Sequence, residues 1–144
     1  MVTPDVLAEI VQPDQKQQID AAVNASSLRI EELTGSELLA LFAELRLIMG
    51  VGEAASLALA VHKGCSVASD EKRSFRREAL ARLGTGRILT TPGLYVAAIR
   101  SGLLSVEEAD ADKATLEACR FKMDFSSFRD LLQRRAAGPQ QGNE

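Results

Sequence analysis

Apolar residues recur at helical spacing along most of this chain, and three short apolar runs interrupt that period. Leu38, Phe42, Leu45 and Met49 fall at i, i+4, i+7 and i+11, which predicts an amphipathic helix ending in the Gly-rich stretch 50–52. Thr34 and Glu37 stand before it at capping-box spacing. Residues 53–63 are almost wholly Ala, Leu and Val, so that helix is expected to be covered on most sides, with Gly64 as its C-terminal stop. A helix over 71–83 carries the stripe Phe75, Ala79, Leu83, with Arg73 and Arg77 one turn apart off that stripe.

Toward the N-terminus, Thr3 suits an N-cap and Pro4 the first helical position, so a helix is expected almost at once. Gln12 and Pro13 end it, and a polar helix over about 14–24 follows. Beyond Gly84, Pro92 opens a helix to Ser101, and Ser105 with Glu108 forms a second capping box before a helix to about Cys119. Asp124 is expected to cap a last helix bearing Phe128, Leu131 and Leu132. The short runs at 28–30, 65–69 and 87–91 read as strands. Strands alternating with helices predict an α/β fold with a parallel sheet. One domain over residues 1–136 is expected, followed by a disordered tail at 137–144.

Composition narrows the chemistry. The chain has 144 residues and a net charge of −3, so no global positive field marks it for nucleic acid, although a local basic patch would still serve. Its two cysteines, Cys65 and Cys119, lack metal-ligand spacing and fit a reduced, cytoplasmic chain. A single histidine, His62, disfavours a zinc site or a histidine-based triad. No apolar run approaches the roughly 20 residues of a membrane span. Reactive chemistry therefore falls to carboxylates.

Two acids stand out by position. Asp70 follows the 65–69 strand directly, and Glu53 opens the helix that leads into that strand. A helix antiparallel to the strand brings both to the strand's carboxyl end, where parallel sheets gather ligands. Carboxylates held together raise one another's pKa, and a divalent cation such as Mg²⁺ or Mn²⁺ makes such a cluster tolerable. The plainer alternative stays open: Asp70 caps the helix starting at Glu71, and Glu53 complements a helix N-terminus. Arg73, Arg77 and Lys72 either contact phosphate or are simply solvated.

From Val2 to Leu132 the chain resembles the PIN-domain family, in particular the small prokaryotic PIN proteins related to toxin ribonucleases. "TPDVLAEI" is similar to the family's second-strand-to-helix segment, with Glu9 as its acid. "GEAASLALAVHKG" resembles the Gly-Glu-Ala helix with Glu53, and "VASDEKRSFRREALARLG" the strand-Ser-Asp-acid segment with Asp70. "ILTTPGLYVAAIRSGLLSVEEA" and "RFKMDFSSFRDLL" continue in the family's order. The resemblance implies a PIN-like, Rossmann-like parallel sheet flanked by helices and a metal-dependent endoribonuclease, as in the toxin of a toxin–antitoxin pair. It implies Glu9, Glu53 and Asp70 as catalytic metal ligands for Mg²⁺ or Mn²⁺, with Glu71 assisting from an outer position. Ser69, Lys72, Arg73 and Arg77 are the implied RNA contacts, and an antitoxin protein is an implied partner.

The family's opening strand, which ends in an Asp, has no counterpart here. Pro4 does not suit a central strand, and Asp20 follows a polar helical run. The chain therefore reads as N-terminally truncated relative to the family, and poor activity on RNA is expected. The alternative reading is a non-catalytic remnant acting as a protein-binding or self-associating module, and under either reading a homo-oligomer formed through an exposed sheet edge is expected.

Overall fold

Thr3 Oγ1 accepts the Val6 N–H at 3.4 Å, and Pro4 follows it, so the chain enters helix α1 (Pro4–Glu9) at once. The computed structural model describes residues 1–71 and 73–136; Lys72 and the expected tail 137–144 lie outside the described residues. The chain divides into two compact units, Met1–Leu89 and the part from Thr90 onward.

In the first unit, α1 is followed by α2 (Pro13–Asn24), α3 (Ser36–Leu45) and α4 (Val51–Lys63). Gly35, at φ 93°, leads into α3 without a side-chain cap, so the expected Thr34–Glu37 box does not form. The helix also stops at Leu45, short of the apolar stripe. Arg46 Nη1 there donates to the Met49 carbonyl at 3.0 Å, and Met49 stays buried in the turn beyond. Helix α4 buries Ala54, Ala55, Leu57, Ala58, Leu59 and Ala60 among α1, α3, the later helix Ser74–Leu83 and the first strand. Its alanines let four neighbours approach one rod, and Gly64 ends it in the left-handed region at φ 63°, ψ 32°.

Strands β1 (Val67–Ala68) and β2 (Ile88–Leu89) pair in parallel, with Val67 opposite Ile88 and Ala68 opposite Leu89. Helix α5 (Ser74–Leu83) joins them, burying Phe75 and Ala79 on the expected stripe. A separate parallel bridge joins Val2 to Ile30. The order of elements is thus the expected one, but the fold class is not. Of the described residues 61% are helical, with a two-stranded sheet, which overturns the PIN-like parallel sheet flanked by helices. The physical reason lies in the runs themselves. Residues 65–69 and 87–91 each leave the ladder after two paired positions, and residues 28–30 contribute one bridge. Apolar burial consequently centres on α4 and its neighbours, not on a sheet face.

The second unit holds α6 (Thr91–Arg100), α7 (Val106–Ala118) and α8 (Phe128–Ala136). Thr90 caps α6 through the Gly93 N–H, and the Ser105–Glu108 capping box forms as expected. Asp124 does not cap α8: Ser127 stands before Phe128 and its Oγ accepts the Asp130 N–H at 3.2 Å, while the Phe128 N–H donates to Asp110 Oδ1 of α7 at 2.7 Å. Val96, Ala109, Met123 and Phe128 form the core, with the Tyr95 and Phe125 rings 5.1 and 5.0 Å from Phe128. Lys113 is nearly buried there, its ammonium paired with Glu117 at 2.7 Å and 5.6 Å from the Phe125 ring centroid. Among the described residues no helix is long and apolar enough to cross a membrane.

Candidate functional site

The N-terminus of α4 gathers two of the expected acids. Its first N–H groups have no partner within the helix. Glu53, in the first turn, turns its carboxylate back so that Oε2 accepts the Gly50 N–H at 2.9 Å. Glu9, the last residue of α1, reaches across so that Oε1 accepts the Gly52 N–H at 3.0 Å. Both carboxylates thereby lie against the positive end of the α4 dipole. The approach of Glu9 depends on Gly52, where a Cβ would meet Oε1 at 2.7 Å.

Glu53 also opens onto a cleft of about 490 Å³, shared with Asp70, Glu71, Arg73, Ser74 and Phe75. The turn after β1 forms its other wall. Ser69 donates its N–H to the Leu89 carbonyl at 2.8 Å, and its Oγ accepts the Glu71 N–H at 3.1 Å. That hydroxyl bond curls residues 69–71 and carries Asp70 and Glu71 over the cleft. Helix α5 begins at Ser74, not at Glu71, so Asp70 is not the N-cap; Arg73, at φ −98°, ψ −99°, holds that place. Phe75 is buried beneath as the floor.

The structure thus brings Glu53, Asp70 and Glu71 to one cleft, with Arg73 at its edge, while Glu9 lies at the adjoining helix end and is not among the lining residues. Arg77 is exposed and pairs with Glu78 at 3.3 Å. Lys72 lies outside the described residues. Ser74 and Phe75 line the cleft as well; Ser74 is not singled out in the sequence, and Phe75 is read there only as part of the buried stripe of α5. Their position follows from the late start of α5, with five residues between it and the end of β1.

Among the described residues no three Asp, Glu, His or Cys side chains stand together as a ready cage for a metal ion. A magnesium-like ion needs less, taking one or two carboxylates and completing its shell with water and substrate oxygens. Glu53 and Asp70 supply hard oxygen donors of that kind on one open cleft. No family model, no curated protein and no solved structure matches the chain.

Proposed function

We propose that the cleft formed by Glu53, Asp70 and Glu71 is the working site of a divalent-cation-assisted endoribonuclease, in line with the resemblance of its sequence blocks to those of PIN toxin ribonucleases. One observation carries the reading. Acids from the start of α4 and from the turn after β1 arrive at a single open cleft beside an arginine. Glu53 and Asp70 would hold Mg²⁺ or Mn²⁺, and the cation would supply charge stabilisation at the phosphodiester and a more acidic bound water. Glu71 would orient the ion's outer waters, and Arg73 would take the phosphate of the RNA. Glu9 acts one step back: its bond to the Gly52 N–H fixes the turn that presents Glu53. An antitoxin would have to cover this cleft to silence it.

The test is calorimetric titration with Mn²⁺ alongside cleavage of an RNA substrate, comparing the chain with Asp70→Asn and Glu53→Gln. Slow cleavage by the full chain is expected, because among the described residues no three Asp, Glu, His or Cys side chains stand together as a ready cage for the ion. Asp70→Asn should weaken Mn²⁺ binding about tenfold or more and abolish that cleavage. Unchanged far-UV dichroism would separate a site effect from unfolding. Equal Mn²⁺ affinity in both variants and the parent would overturn the assignment.

A further inference from the structure

A second concavity lies away from the acidic cleft, between two extended segments whose backbones are satisfied on one side only. It is a groove of about 210 Å³ with residues 1–3 along one wall and residues 65–68 along the other, floored by Ser56, Leu59 and Ala60 of α4. On the first wall, Val2 directs both main-chain groups away from the groove. Its N–H donates to the Arg29 carbonyl at 2.9 Å, and its carbonyl accepts the Glu31 N–H at 2.9 Å. On the second wall, β1 is likewise committed outward, with the Val67 and Ser69 N–H groups donating to the Arg87 and Leu89 carbonyls. Along an extended backbone, successive residues turn their hydrogen-bonding groups to opposite edges. The parallel register therefore points the N–H and C=O of Ser66 and Ala68 away from β2, and the Thr3 N–H away from residues 29–31. Among the described residues none of these groups has a hydrogen-bond partner.

We propose that this groove accepts an extended aliphatic segment of a second, different protein, which adds as a strand between Val2 and β1. The inference goes beyond the chemistry of the acidic cleft and does not depend on it. The complementarity is one of main-chain partial charge. Both walls offer unpaired N–H and C=O groups, and an extended peptide carries donors and acceptors on both of its edges. A small apolar ligand would leave those groups unmet. The floor selects the side chains: Ser56 and Ala60 are small, Leu59 is apolar and buried, and Val6 and Val67 flank them. Val or Ile at alternate positions fills that space while the intervening residues face outward. A second copy of this chain is a poorer occupant. Each extended segment of the described chain, at Val2, Ile30, β1 and β2, is only one or two paired residues long, shorter than the stretch the walls call for. The length of the walls calls for about four residues, matching a short strand.

The probe is a synthetic octapeptide, acetyl-KTVIVTVK-amide, titrated into the full chain and followed by calorimetry and by amide resonances. Saturable binding is expected, with the Thr3, Ser66 and Ala68 amide signals shifting and gaining protection from exchange. A peptide N-methylated at alternate residues, which loses its donors along one edge, should bind at least tenfold more weakly. So should Ala68→Pro, which removes only an N–H pointing into the groove, and Ser56→Leu, which fills it from the floor. The pair of variants covers the case in which one fails to fold. Absence of saturable binding would overturn the proposal, as would equal binding of the N-methylated peptide. Sedimentation as a dimer with the Thr3 and Ala68 amides already protected would overturn it too, naming a second copy as the occupant.

Discussion

Gly52 lies under the Glu9 carboxylate, and the two residues set each other's identity. A methyl group there would meet Oε1 at 2.7 Å and the carboxyl carbon at 2.9 Å, distances at which the carboxylate must leave. Two effects then compete in Gly52→Ala. Alanine gains up to about 1 kcal/mol of helix propensity, less in the first turn. Losing a hydrogen bond to a charged acceptor costs about 1.5–3 kcal/mol, toward the lower end because Glu9 is exposed. The net expectation is destabilisation by about 1 kcal/mol. Glu9→Ala should cost about the same, and in that background Gly52→Ala should become neutral or stabilising. Denaturant melts of the two single variants and the double variant check this, and simple additivity would show that the contact carries no energy. The pairing was partly legible in the sequence. Glu9 and the Gly-Glu-Ala block could be named, but a bond between residues 43 positions apart leaves no local trace.

Elements were read more reliably where a cap marks them than where apolar runs do. Thr3 with Pro4, Ser105 with Glu108, and Gly64 each act locally, through an N–H or a backbone conformation within a few residues. Those boundaries were accordingly legible. The Thr34–Glu37 spacing was not sufficient, because Gly35 at φ 93° turns the chain before Thr34 can reach the helix. Strands were over-read at 65–69 and 87–91, since pairing length depends on a partner far along the chain and not on the run itself. Asp124 failed as a cap because α8 starts only at Phe128, where Ser127 stands at the capping place and its Oγ accepts the Asp130 N–H. The cleft was legible in part. Glu53 and Asp70 line one cleft because α4 and β1 are consecutive, whereas the Ser69 turn beside Asp70 depends on a side-chain bond. Gly64 gives this scale its prediction. An L-residue at φ 63° costs about 1–2 kcal/mol, so Gly64→Ala should lower stability by about 1 kcal/mol, and Gly64→Asn by less. Thermal melts of both variants decide it, and equal losses would mean that left-handed strain is not the cause.

At the scale of the whole molecule, the two units respond differently to acid, and the chain carries its own reporter of the difference. Tyr95 is the one tyrosine and tryptophan is absent, so near-UV tyrosine dichroism reports only the unit beginning at Thr90. Among the described residues, the carboxylates held clearly below their ordinary range all lie in that unit. The Ser105 backbone N–H, then its hydroxyl, hold Glu108 down. The Lys113 ammonium does so for Glu117, and the Ser126 hydroxyl leads for Asp130. A lowered folded-state pKa contributes stability above the unfolded value and loses it as pH falls through the folded one. Protonation therefore weakens the α7 capping box, the Lys113–Glu117 pair and the entry to α8. Tyr95 is shifted the other way, upward, by burial first and then by its bond to Asp112. Its contribution is complete below the ordinary tyrosine value and lost only as pH rises past it. The stable window of this unit thus opens above the carboxylate range and closes in alkali. As pH falls from about 6 to about 3, the Tyr95 band should fade before half of the far-UV helix signal is lost. Because these acids are exposed, added salt should blunt the part due to the Lys113 pair and leave the serine bonds largely unaffected. A Tyr95 band that persists until the whole helix signal collapses would show that the acid response belongs to residues 1–89 instead.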